Sequence, residues 1–153
     1  MSAAYYDLYA EEDALFVAKL NILTPEGTTA RLYNSVGQIY DLYIPPELKT
    51  IGVTGVTAIT PTFIIVPSNS LGKLSIDISS GVLLSTDLGD HNVVVQKLIP
   101  PPGVSSIFDS NTSYLYEFNL LFTTNGATPV THKLRILQGK FNINKSIQEY
   151  RNF

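Results

Sequence analysis

Residues 114–124, YLYEFNLLFTT, decide the fold of this chain. They set Tyr114, Tyr116, Phe118, Leu120 and Phe122 against Leu115, Glu117, Asn119, Leu121 and Thr123. A strict period of two over such a run is the signature of a β-strand with one face in a core. The turn NGATP follows, and Asn125-Gly126 is a strong hairpin signal. VTHKLRIL, residues 130–137, therefore returns beside the first strand. Gly139 interrupts the pattern before Lys140 to Ile143 resume it. A glycine there marks a bulge or a close backbone approach, and the closing strand is expected to be redirected at it.

The same signature recurs upstream. LFVAKLNI (15–22) turns Phe16, Ala18, Leu20 and Ile22 to one side and Lys19 and Asn21 to the other; TPEGT then makes a turn. QIYDLYI (38–44) places Tyr40, Leu42 and Ile44 inward, and Pro45-Pro46 ends it because proline has no N–H for a ladder. TGVTAITPTFIIVP (54–67), rich in β-branched residues, predicts one broken strand or two short ones. KLSIDI (73–78), GVLLST and HNVVVQKLI (91–99) add further strands, and PPPGVSSIFDSNTS (100–113) is a long loop stiffened by three prolines. The one helical candidate is residues 10–15, where acids stand early in the segment. Many short strands with frequent turn signals predict an all-β protein, an antiparallel β-sandwich, with a partly closed β-barrel as the alternative. The expected organisation is an N-terminal arm (1–14), a sandwich domain (15–145) and a C-terminal tail (146–153).

Composition narrows the function classes. The chain has 153 residues, one domain's worth, and can build a core without disulfides or metals. Charged residues make up 15%, against roughly 25% in an ordinary soluble domain, so much of the surface must be Thr, Ser, Asn and Gln. A net charge of −3 with scattered Lys and Arg gives no basic field, and nucleic acid is not an expected partner. The absence of cysteine removes disulfides, thiol nucleophiles and thiolate zinc sites. MSAAYYDLYAEEDALF lacks the basic and apolar regions of a signal peptide, and no apolar run approaches membrane-spanning length. The Asn-x-Ser sequences at Asn111 and Asn144 are accordingly read as chance.

Chemistry is sparse. His91 and His132 have no acid or second histidine at ligand spacing and read as ordinary surface or hydrogen-bonded residues. Glu11, Glu12 and Asp13 read as a solvated patch, and Asp87 and Asp90 as a polar turn rather than a calcium loop. No metalloprotease, phosphate-loop or nucleophile-elbow motif is present, so no catalytic, cofactor-binding or metal-binding residue is assigned. What stands out is aromatic: Tyr5, Tyr6 and Tyr9 in a segment of no clear secondary structure, and Tyr150 and Phe153 beyond the last strand. These side chains either fold back on their own domain or dock on a neighbouring subunit, where tyrosine is favoured. A glycan-stacking module is a competing reading, with Tyr43 as its test residue, although the chain has no Trp.

The order of SYLYEFNLLFTTNGA followed by THKLRILQGKFNINKSI, a Tyr-rich strand, a polar hairpin tip, a returning strand ending in Leu-x-Gly and a final strand closed by Lys-Ser-Ile, resembles the close of immunoglobulin-like domains in tailed-phage virion proteins. The nearest family is the N-terminal domain of phage baseplate upper proteins, over about residues 15–147, with LFVAKLNIL and KLSIDISSGVLLST as its earlier strands. The resemblance implies an immunoglobulin-like sandwich and a non-enzymatic attachment module. This chain stops ten residues after Ile143 without a helical linker or second domain. The expectation is therefore a short virion component, a baseplate or tail-fibre attachment subunit, with a capsid or tail decoration protein as the alternative. Its partners would be other virion proteins or copies of itself, in a virion assembled in the host cytoplasm.

Overall fold

A computed structural model describes residues 3–11, 14–33, 42–67, 76–84, 91–99 and 114–144. Among these residues nine strands run in chain order: β1 (Ala4–Tyr5), β2 (Leu8–Glu11), β3 (Ala14–Leu20), β4 (Val56–Pro67), β5 (Ile76–Asp77), β6 (Val82–Leu84), β7 (Val93–Ile99), β8 (Tyr114–Thr124) and β9 (Thr131–Asn144). One short helix, α1 (Pro46–Thr50), precedes β4, and a 3₁₀ turn (Ser79–Gly81) precedes β6. The larger sheet has the order β1-β9-β8-β4-β5, with β2 also on β9; the smaller has the order β3-β7-β6. Neither sheet closes into a barrel, and the strand order is that of an immunoglobulin-like sandwich.

The deciding stretch behaves as its pattern requires. Tyr114, Tyr116, Phe118, Leu120 and Phe122 are all buried, and β8 pairs antiparallel with both β4 and β9 at the centre of the larger sheet. Asn125-Gly126 turns the chain, with Gly126 at φ 121° in a region glycine enters freely. Across the sandwich the inward row meets Phe16 of β3 and Val93, Val95 and Ile99 of β7. Phe141 joins the sheets: its ring lies 5.2 Å from that of Phe16, edge to face. Phe63 stacks on Tyr116 at 5.2 Å and 8°.

Within residues 54–67 one strand forms rather than two, Val56–Pro67, despite Pro61. The neighbouring Phe63 sends its N–H to Ser79 Oγ and receives the Ile78 N–H at its carbonyl, both on the side away from β8. Pro61, two residues earlier, faces the same way, so its missing N–H removes nothing from the ladder with β8. The strand also carries an irregularity between Val56 and Ala58.

Three expectations are corrected. The described residues of 10–15 are not helical: Ala10 and Glu11 end β2, Ala14 and Leu15 begin β3, and Leu8 and Ala10 are buried while Tyr9 and Glu11 are exposed, a period of two. Leu42 to Ile44 are not in a strand; Tyr43 donates its N–H to the Arg31 carbonyl, and Pro46 opens α1, where a missing N–H is harmless. Gly139 is not a bulge. It pairs in register with Tyr116, and the extra residue of β9 is Ile136, where the register shifts opposite Phe118 and Asn119. The Asp87–Asp90 turn and the proline-rich loop lie outside the described residues.

Candidate interaction surface

The N-terminal segment becomes part of the larger sheet. β1 and β2 run parallel to β9, Ala4 and Tyr5 against Leu137 and Gln138, and Leu8 to Glu11 against Phe141 to Asn144. Between them the chain crosses Gly139, and Tyr6 donates its N–H to the Gln138 carbonyl at 2.8 Å. The glycine is there for that crossing: a Cβ at 139 would collide with the Tyr6 carbonyl. Opposite the bare glycine, Tyr116 donates its hydroxyl to that same carbonyl at 2.5 Å. Burial, and next the nearby Asp7 carboxylate, push the Tyr116 phenol well above its ordinary range, so it stays a donor. Asp7 Oδ1 accepts the Lys140 N–H at 3.0 Å, and Asn142 Nδ2 donates to the Leu8 carbonyl at 3.2 Å. The edge of β9 is thereby finished by the chain itself.

The tyrosine side chains of that segment face outward. Tyr5, Tyr6 and Tyr9 are 65%, 61% and 66% exposed. Tyr6 and Tyr9 line an open groove with Phe16, Val17 and Lys19 of β3 and Leu137 of β9. Tyr150 and Phe153 lie outside the described residues, so the structure brings together the N-terminal part of the aromatic set alone.

The smaller sheet adds a surface that the period-two reading of LFVAKLNI leaves aside, because that reading follows the Phe16 face. On the opposite face Leu15 pairs with Leu98 and Val17 with Gln96, and Leu83 lies across Val94 from Lys19. Leu15 and Leu98 are each 60% exposed, Leu83 57% and Val17 44%. The signal was present in the sequence as apolar residues on both faces of one short strand, Leu15-Phe16-Val17. Beyond β3, among the described residues, no strand pairs with the edge opposite β7.

The polar groups of the molecule serve the fold. Asn92, fully buried, accepts the Ile22 N–H at 2.9 Å and donates to the carbonyls of Ile22 and Ala30 at 3.0 and 2.8 Å, fastening the loop after β3. Burial alone would raise the Glu117 carboxyl; the Asn119 amide, then Arg135 and Lys133, overcome it and hold the group below its usual value. The Ser79 hydroxyl and amide hold the Asp77 carboxyl low. His91 stands just before β7 in the smaller sheet, whereas His132 lies on β9 beside a shallow groove with Ile51 and Val130. Tyr43 is half-buried beside Glu47, and burial, then the carboxylates of Glu47 and Glu26, raise its phenol. Among the described residues no group of three or more His, Asp or Glu could hold a metal, and no helix is long and apolar enough to cross a membrane.

These features define an all-β, immunoglobulin-like sandwich with an aromatic edge and one apolar outer face. No protein-family model, curated protein or solved structure matches the chain.

Proposed function

We propose that the chain is a non-enzymatic structural subunit of a tailed-phage virion, a baseplate or tail-fibre attachment component that works through subunit contacts. The observation that carries the reading is the placement of large apolar and aromatic side chains outside a core that is already complete: Tyr5, Tyr6 and Tyr9 on the covered edge, Leu15, Val17, Leu83 and Leu98 on the smaller sheet. Clustered exposure of this kind marks interaction surface, and tyrosine suits a contact that buries the ring and pairs the hydroxyl. The polar networks around Asn92, Glu117 and Tyr116 support the same reading, since each is spent on holding strands in place. The virion assignment itself rests on the resemblance of residues 114–147 to the closing strands of phage immunoglobulin-like domains.

Mass spectrometry of gradient-purified particles, from cells producing both phage and this chain, tests the proposal. The chain is expected to co-sediment with particles at a fixed ratio to the other virion proteins, and to leave them when Tyr5 and Tyr9 are both changed to Ser. A chain found wholly in the particle-free fraction would contradict the proposal.

A further inference from the structure

We infer that β3 is a self-pairing edge: two copies of the chain join antiparallel through their β3 strands, about a two-fold axis at Phe16, into one six-stranded sheet. The inference rests on the reading of the chain as a contact-forming subunit and names the surface and the partner.

Three observations carry it. First, β3 has the form that other edges avoid. It is seven residues long, and among the described residues it pairs with β7 alone. It contains no proline, and its single charge, Lys19, stands near its end. Natural edge strands are guarded by lysine, proline, bulges or a covering segment; a bare apolar edge is a template for another strand. The contrast lies within this molecule, because among the described residues β9 receives such a cover and β3 does not.

Second, the first five residues of the strand are nearly symmetric about Phe16. Ala14-Leu15-Phe16-Val17-Ala18 reads alike in both directions, apart from the exchange of Leu for Val. An antiparallel pair centred on Phe16 sets Ala14 against Ala18, and Leu15 against Val17, in each half. A two-fold contact requires such self-complementarity, since each copy presents the same patch. Lys19 lies outside the symmetric core, so the lysines of the two copies do not come opposite one another, an arrangement that would oppose pairing.

Third, the edge adds apolar surface to the strand pairing. Taking about 150–200 Å² for a whole large side chain, Leu15 and Val17 with Tyr6 and Tyr9 of the adjoining groove leave roughly 400 Å² exposed beside the free main chain of β3. A standard interface buries about 800 Å² per partner, main chain included. Pairing at β3 brings the outward leucines of both sheets into one continuous face and places Tyr6 and Tyr9 at its margin.

The test is the absolute mass in solution by light scattering through the micromolar range, for the full chain and for Val17→Lys, Leu98→Glu and Leu115→Lys. Val17 and Leu98 face outward on the smaller sheet; Leu115 is an exposed apolar residue on the larger sheet and serves as the control. The full chain is expected to rise from 16.8 kDa to twice that mass. Val17→Lys is expected to weaken the dimer at least tenfold, Leu98→Glu to weaken it less, and Leu115→Lys to leave it unchanged. Circular dichroism identifies any variant that fails to fold, and Leu98→Glu, on a different strand, then decides. A full chain that stays monomeric overturns the inference, and particle association then stands or falls by its own experiment. A dimer that survives both Val17→Lys and Leu98→Glu overturns it too, while leaving self-association through another surface.

Discussion

The two outer faces of the sandwich are built on opposite plans. On the larger sheet Glu117 lies between Lys133 at 3.4 Å and Arg135 at 2.8 Å, Asn119 bonds to Thr62 and Glu117, and Thr123 bonds to Thr131. Around Glu117 this face is polar, with Asn119 buried beneath the charges, although Leu115 on the same strand is exposed. On the smaller sheet the corresponding positions are Leu15, Val17, Leu83 and Leu98. The edges differ in the same sense, since β9 is sealed by β1 and β2 whereas, among the described residues, no strand covers the edge of β3 opposite β7. One fold can therefore hold a side closed by its own chain and a side left for a neighbour. Side-chain choice makes the distinction between the faces, and a covering segment makes it between the edges.

Gly139→Val breaks the sealed side most severely. The new side chain meets the Tyr6 carbonyl, main chain that cannot give way cheaply, so β1 and the start of β2 must detach. A loss of about 2–3 kcal/mol is expected in urea unfolding, with early proteolysis near residue 6. Tyr116→Phe is milder. It keeps the stack on Phe63 and removes the donor to the Tyr6 carbonyl, an expected loss of about 1 kcal/mol.

On the polar face acid acts through Glu117. The folded value of Glu117 lies below its ordinary one, so its contribution is complete above the usual glutamate range and is lost as pH falls through the folded value. For a partly exposed network the loss is under about 1 kcal/mol and shrinks in high salt. Glu117→Gln, followed by thermal melts down to acid pH, should flatten that part of the profile. Leu15→Thr is expected to have the smallest effect on stability, within about 0.5 kcal/mol, because an exposed strand position tolerates a β-former. Its visible consequence is weaker self-association.

Much of this was legible in the sequence, and the misses share a cause. The β8–β9 hairpin could be read because ten alternating residues and Asn125-Gly126 agree, and local signals that agree with tertiary packing leave little choice. Residues 4–11 could not, since strands of two and four residues carry too few periods, and their pairing with β9 depends on a partner more than 120 residues away. Gly139 was identifiable as special, but its reason, the Tyr6 carbonyl above it, is a tertiary fact. The register shift at Ile136 leaves no mark in composition at all. Asn92 looked like a polar start to a valine run, and its three bonds to Ile22 and Ala30 appear only when the loop folds over it. Of the candidate surface, Tyr5, Tyr6 and Tyr9 were found by having no core to enter. Leu15 and Val17 were passed over because one face of their strand already satisfied the pattern.

The most direct measurement is amide hydrogen exchange across β2 and β3 at low and high protein concentration. A sealed edge and a shared edge predict different behaviour: β2 amides protected equally at both concentrations, and the outward amides of β3 exchanging freely when dilute and slowly when concentrated. Protection of β3 that does not change with concentration, or β2 amides that become protected only on concentration, would contradict the account.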